Sequence, residues 1–410
     1  MSSTSSWAPL VIFALTFFVL AIGRLPGLRI DRTGAAIIGA TFMVASGTLT
    51  MDEAWHAINS DTILLLFGMM IVVANLRLSG FFGLAANWVL GRSHSPRVLL
   101  AAIVLVSGVL SAFFVNDTMC LILTPLVLEV ALTLRRNPLP YLIGVAVGSN
   151  IGSACTITGN PQNMIIGTLS KIPYSTFTAR LAPASIVGLA IAVAVIFVVY
   201  RQEFADAPRV DVPARRVRVH WPMLWKSLLV AAGMVIAFFA NVPVDEAALV
   251  GGAILLITRR VKPDKVYREI DFSLLAMFAG LFIVVAGMEK TSLDETLFAA
   301  AQRLQLDRLP VMAFFAALLS NLVSNVPAVM IFKPVMPHLA DPQRGWLALA
   351  LFSTFAGNTT LLASVANLIV VQKSRHEVDI TFWEYLRVGL PVTLLTIMAG
   401  VAWLAFTAGR

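Results

Sequence analysis

The sequence predicts an all-α polytopic membrane protein: two inverted-topology repeats, each of five spans plus one re-entrant hairpin, with discontinuous helices. Three observations carry this. First, 58% of the 410 residues are apolar and 13% are charged, whereas soluble domains are about one quarter charged. Second, the two halves of the chain resemble each other at three places in the same order. Third, polar breaks interrupt the apolar segments at four points, and these pair between the halves.

The first apolar run, Trp7 to Gly23, lacks a basic leader and a small-residue cleavage site, so it reads as a retained span. Further spans fall at 34–50, 61–76, 139–169, 181–200, 223–241, 245–258, 271–288, 345–372 and 385–407. The stretches 98–134 and 309–340 are too long for one crossing of ~30 Å of hydrocarbon, and each has a polar centre. Read as hairpins that enter and leave on one side, they leave ten crossings.

Charge tests that count. With the N-terminus outside, the inside loops hold Arg24, Arg29, Arg32, Arg77, Arg92, Arg97, Arg135, Arg136, the clusters Arg201–Arg218 and Arg259–Arg268, and Lys373, Arg375 and Arg387. The outside holds Lys171, Arg180, Lys290, Arg303, Arg308, Arg344 and Arg410. The ratio of about three to one is what the positive-inside rule asks. Both termini are then outside, in the cytoplasmic membrane of a prokaryote. The net charge of +8 belongs to these loops and implies no nucleic-acid partner; the lipid bilayer is the partner.

The repeats read as follows. FGMMIVVA (67–74) matches AGLFIVVA (279–286). LSAFFVNDTMCLILTPLV (110–127) matches LSNLVSNVPAVMIFKPVM (319–336). SNIGSACTITGNPQN (149–163) matches STFAGNTTLLASVAN (353–367). The offsets are 212, 209 and 204. Five crossings per half turn the second half upside down, the architecture of many secondary transporters. The domains are residues 1–200, a basic linker 201–222, and 223–410.

Polar backbone at membrane depth is tolerated only inside protein or around a cavity. The breaks therefore supply the candidate site: Asn116, Asp117 and Thr118 at one hairpin tip and Ser324 and Asn325 at the other. The span breaks add Thr156, Thr158, Gly159, Asn160 and Asn163, then Asn358, Thr359, Thr360, Ser364 and Asn367. Half-helix N-termini suit an anion, and freed carbonyls with amide and hydroxyl oxygens suit a small hard cation. Sodium at Asn116, Asp117 and Asn325, or a proton at Asp117, is the expected coupling ion. Asp117, whose twin is Val326, reads either as a helix cap or as an ion site. Lys333 reads as a snorkelling lysine or as a charge partner facing the path. Cys120 and Cys155 read as apolar core. Neither catalytic pairs, metal spacing nor a nucleotide loop is present, so no enzyme activity and no cofactor is expected. A channel would need a continuous selective pore.

NDTMCLILTPLVLEV, GNPQN, SNVPAVMI and FAGNTTLLASVANLIVV resemble the ion transporter superfamily over nearly the whole chain. That group holds citrate-transporter-like and divalent-anion/sodium symporters, arsenite efflux permeases and sodium/proton antiporters. The resemblance implies hairpin tips facing unwound loops, a homodimer on a scaffold, and elevator-like transport of a small anionic solute coupled to protons or sodium. It also holds open an arsenite or antimonite efflux permease. Asn-Asp-Thr and Ser-Asn-Val depart from the Ser-Asn-Thr tips of dicarboxylate symporters, and Ser324 stands where arsenite permeases carry asparagine.

Overall fold

The computed structural model describes residues 7–23, 30–91, 95–205, 218–257, 262–291 and 302–407. Parts of the linker 201–222, and Arg24, Arg29, Arg92, Arg209, Arg215, Arg216, Arg259, Arg260 and Arg410, lie outside the described residues. The first half runs α1 (Ala8–Ile22), α2 (Arg32–Ala45), α3 (Met51–Ala57), α4 (Ser60–Ser79), α5 (Phe81–Leu90), α6 (Pro96–Phe114), α7 (Asn116–Thr133), α8 (Leu139–Ser153), α9 (Pro161–Ser170), α10 (Tyr174–Val199) and α11 (Arg201–Ala205). The second runs α12 (Trp221–Phe239), α13 (Val244–Leu256), α14 (Pro263–Tyr267), α15 (Phe272–Glu289), α16 (Leu309–Val323), α17 (Asn325–Phe332), α18 (Pro342–Ala356), α19 (Val365–Ser374) and α20 (Phe382–Phe406).

Every expected apolar segment is helical, and the four breaks fall between α6 and α7, α8 and α9, α16 and α17, and α18 and α19. Among the described residues, seven helices are long and apolar enough to cross a membrane: α4, α6, α7, α10, α12, α15 and α20. This differs from the ten expected crossings. The helices α1, α2 and α13 reach only ~20–22 Å at 1.5 Å per residue, and the broken spans divide their length between two pieces. Helix α10 starts at Tyr174, before its apolar run. Arg180 can lie inside it because its guanidinium donates to the Thr407 carbonyl (2.9 Å) and its own carbonyl accepts from Trp403 Nε1 (2.7 Å).

Both hairpins are tied at their open ends. Arg97 Nη2 donates to the Phe204 carbonyl (3.1 Å), and Arg136 pairs with Glu203 (3.7 Å), so one short helix, α11, holds the start of α6 and the end of α7. Asp307 Oδ1 accepts from the Ala340 amide (2.8 Å), joining the two ends of the second hairpin. By length α6 and α7 could each cross. The tip at Asn116 nevertheless ends against Asn150, inside the broken span α8–α9.

Ion pairs respect the side assignments. Glu53–Lys290 and Asp61–Lys171 join groups that the charge count puts outside, and Glu289, at the outer end of α15, pairs with Lys333, which that count left out. Arg77–Glu269 and Arg136–Glu203 join groups it puts inside. Lys226, which lay in an apolar segment, caps α13 by donating to the Ile254 and Ile257 carbonyls (both 2.6 Å). Trp7, Trp55, Trp88, Trp221, Trp225 and Trp383 are exposed and lie at or near helix ends, where membrane interfaces favour tryptophan.

The halves cross at two matched points. A Cβ on Gly68 of α4 would stand 2.5 Å from the Ala248 backbone of α13, and one on Gly280 of α15 would stand 2.7 Å from the Ala36 carbonyl of α2. Each glycine lies 212 positions from its twin, as do Ala36 and Ala248. Alanine in a helix is ordinarily favoured over glycine by about 1 kcal/mol. Here steric overlap should reverse that sign. Gly68→Ala and Gly280→Ala are each expected to lower thermal stability in detergent by about 1–3 kcal/mol. Gly233→Ala, with nothing within 4 Å of its Cβ, should not.

Candidate functional site

The hairpin tips are backbone outliers. Val115 has φ 65° and ψ 119°, and Ser324 has φ 75° and ψ 162°. Positive φ is costly for a β-branched residue, and such strain amounts to about 1–3 kcal/mol per residue. Both tips carry it, at positions 209 apart. Neither α7 nor α17 has a side-chain cap, so both begin with free backbone N–H groups. The capping role open to Asp117 is not realised. Its carboxylate sits in the first turn of α7, where the helix dipole favours negative charge. It forms no ion pair among the described residues.

The span breaks are built alike. Where α8 ends, Asn163 Nδ2 donates to the carbonyls of Ser153 (3.2 Å) and Thr156 (2.9 Å). Where α18 ends, Asn367 Nδ2 donates to those of Gly357 (2.7 Å) and Thr360 (2.9 Å). Both sets are offset by 204. Each asparagine thus serves carbonyls that a continuous helix would have satisfied. Asn160 Oδ1 caps α9 by accepting from the Asn163 amide (2.8 Å), and Ser364 Oγ caps α19 by accepting from the Ala366 amide (3.2 Å). Pro161 supplies no N–H. The half-helix N-termini expected to hold an anion are therefore partly filled by the protein.

Several predicted residues secure the breaks from behind. The Thr156 and Thr158 hydroxyls donate to the Ala112 carbonyl of α6, and Thr158 also meets the Tyr174 hydroxyl (3.0 Å). Gly159 has negative φ, and a Cβ there would lie 2.1 Å from the Ser153 carbonyl, so the glycine provides room. The Thr359 hydroxyl donates to the Ala356 carbonyl (2.8 Å). Thr360 contributes its main-chain oxygen, and Thr118 is half-buried on α7. Lys333 pairs with Glu289 and not with Asp117: its Nζ lies 2.9 and 3.1 Å from the carboxylate oxygens of Glu289, with both side chains 26% exposed.

Asn150, absent from the predicted set, joins the two halves. Its Nδ2 donates to Asn358 Oδ1 (3.1 Å) and Asn367 Oδ1 (3.0 Å), and its Oδ1 accepts from Asn116 Nδ2 (3.1 Å) and Ser364 Oγ (3.2 Å). The available signal was an amide inside the apolar helix α8. Amide orientation follows by succession. Carbonyls only accept, so Asn367 must give them Nδ2 and turn Oδ1 to Asn150. Asn150 must answer with Nδ2 and turn Oδ1 to Asn116. Asn116 must answer with Nδ2, which leaves its Oδ1 free. That Oδ1 is buried and without a partner among the described residues, as is Asn325 Oδ1.

A cavity of about 640 Å³ lies between the tips. It is lined by Asn116, Asp117, Ser324, Asn325 and Ser364 of the predicted set, with Gln162, Asp31, Arg32, Asp271 and Ser273 besides. Thr118, Thr156, Thr158, Gly159, Asn160, Asn163, Asn358, Thr359, Thr360, Asn367 and Lys333 are not in its wall. The cavity extends to the end of α1, the starts of α2 and α15, and the end of α19, all on the face that the charge count puts inside. Three aspartates and one arginine line it, which gives an acidic wall.

The family model for the citrate transporter, CitMHS, matches residues 15–356. A silicon efflux transporter of rice, LSI3, is 28% identical over 95% of this chain and 96% of its own length. A 46 kDa membrane protein of Mycobacterium leprae is 30% identical over 96% of this chain and 99% of its own. The solved YdaH transporter of Alcanivorax borkumensis shares the fold with a TM-score of 0.65, at 14% identity and over 98% and 97% of the two chains. With hairpin tips and paired breaks around one cavity, this multi-span membrane chain belongs to the citrate transporter family.

Proposed function

We propose that the protein is a secondary active transporter that exports a small uncharged hydroxylated acid from the cytoplasm by alternating access. The observation that carries this is the mixed chemistry of the tips. They offer free backbone N–H donors at α7 and α17, beside the unpartnered oxygens of Asn116 and Asn325 and the Asp117 carboxylate. A hydroxyl group both donates and accepts, so it answers both sets. A fully ionised anion only accepts, and it would also face the acidic wall. Silicic acid is such a hydroxylated solute, and the rice relative named for silicon efflux supports both the solute class and the direction. Arsenous acid fits the same description.

The inner face of the bacterial cytoplasmic membrane is the proposed side of the cavity. The hairpins and broken spans are the proposed moving body, in an inverted-repeat frame supported by the matched glycine crossings. Asp117 is the proposed proton site, because an unpaired carboxylate crossing the bilayer must be neutralised. A second reading has its own support: the same three groups, two amide oxygens and a carboxylate, form a hard-cation set, and sodium there would suit a carrier of anions such as citrate.

In proteoliposomes, Asp117→Asn is expected to keep silicic acid exchange but lose efflux driven by a proton gradient by about tenfold or more. Gradient-driven efflux at the wild-type rate would remove Asp117 from coupling. Transport of citrate or sulfate that requires sodium would favour the second reading.

The Lys333–Glu289 pair closes the outer side. It lies roughly 12 Å from the Asn325 tip along α17, away from the cavity mouth. Lys333→Gln is expected to speed labelling of a cysteine placed at Ser324 by an impermeant thiol reagent added outside. Unchanged labelling would show that the pair does not hold the outer side shut.

A further inference from the structure

We infer that Asn150 determines solute selectivity as a positioning residue, by fixing which atom of Asn116 is left for the solute. This rests on the reading of the solute as an uncharged hydroxylated acid. The chain of amides begins at main-chain carbonyls, which cannot reverse. From there each amide has one permitted orientation, because turning it sets oxygen against oxygen or N–H against N–H. Reversal at Asn116 alone would put its Oδ1 against Asn150 Oδ1, which already accepts from Ser364. The tip therefore keeps an acceptor where an anion would need a donor.

The twin position shows that this is a property of Asn150 and not of the repeat. Position 354, offset by 204, is threonine. Thr354 Oγ1 donates to the Ala350 carbonyl (2.8 Å) and accepts from Asn160 Nδ2 (3.3 Å) and Gln162 Nε2 (3.2 Å). It has no donor left for Asn163, whose Oδ1 is buried without a partner among the described residues. Nor does it hold Asn325. Only the first tip has its polarity imposed.

Without Asn150, the Asn116 amide is free to turn and present Nδ2. An anion then gains a donor, while a hydroxylated solute, able to use either atom, loses little affinity. The test is silicic acid counterflow in proteoliposomes with sulfate as competitor. Wild type should be insensitive to sulfate. Asn150→Ala should become roughly tenfold more sensitive, about 1.4 kcal/mol in relative affinity. Asn150→Ser provides the comparison if the alanine variant does not fold. A scaffold role alone would lower counterflow without changing the sulfate ratio. An unchanged ratio in a folded Ala or Ser variant overturns the inference. Wild-type protein that takes up no silicic acid refutes the functional reading itself, and this inference with it.

Discussion

A carbonyl freed where a helix breaks inside a membrane must find a donor, and at both breaks here one asparagine amide serves carbonyls on each side of the gap. Asn163 and Asn367 each hold the end of one half-helix to the loop that follows. Unpaired main-chain groups in hydrocarbon cost several kcal/mol each, so the breaks depend on these bonds. The bonds also set direction. Because the carbonyls only accept, the orientation of Asn367 is settled, then that of Asn150, then that of Asn116. A requirement of backbone stability thus reaches the cavity as a choice between oxygen and N–H.

The frame is nearly symmetric and the chemistry is not. Tip strain, break geometry, half-helix caps and glycine crossings all recur between the halves. The charge and the polarity relay do not. Asp117 faces Val326 as its twin, and Asn150 faces Thr354. A carrier needs this combination: two similar supports that can exchange roles, and one set of groups that tells solute and coupling ion apart. The acidic wall, with Asp31, Asp117 and Asp271 against Arg32, works in the same sense as the relay by disfavouring anions.

Much of the frame was legible in the sequence because its causes are local. Apolar length gave the helices, Asn-Asp and Ser-Asn in apolar surroundings gave the tips, and Gly-Asn-Pro gave a break with its cap and its missing N–H. Lys333 was legible only as a surplus charge, since Glu289 is distant in sequence. Asn150 was missed because its meaning lies in four side-chain partners distant in sequence. Asp31, Arg32 and Asp271 were missed because loop residues reveal a cavity mouth only after the helices pack. The caps at two of the half-helix N-termini were legible only in part: Asn160 and Ser364 each satisfy one amide there, while the ends at Asn116 and Asn325 carry no side-chain cap.

The most direct test of the account is the pH dependence of solute binding to wild-type protein, measured by calorimetry with silicic acid. If the relay presents an acceptor, affinity should follow the uncharged fraction of the solute, falling about tenfold per pH unit above the solute's own pKa. Affinity that rises with ionisation of the solute would contradict the assigned polarity of Asn116 and the account built on it.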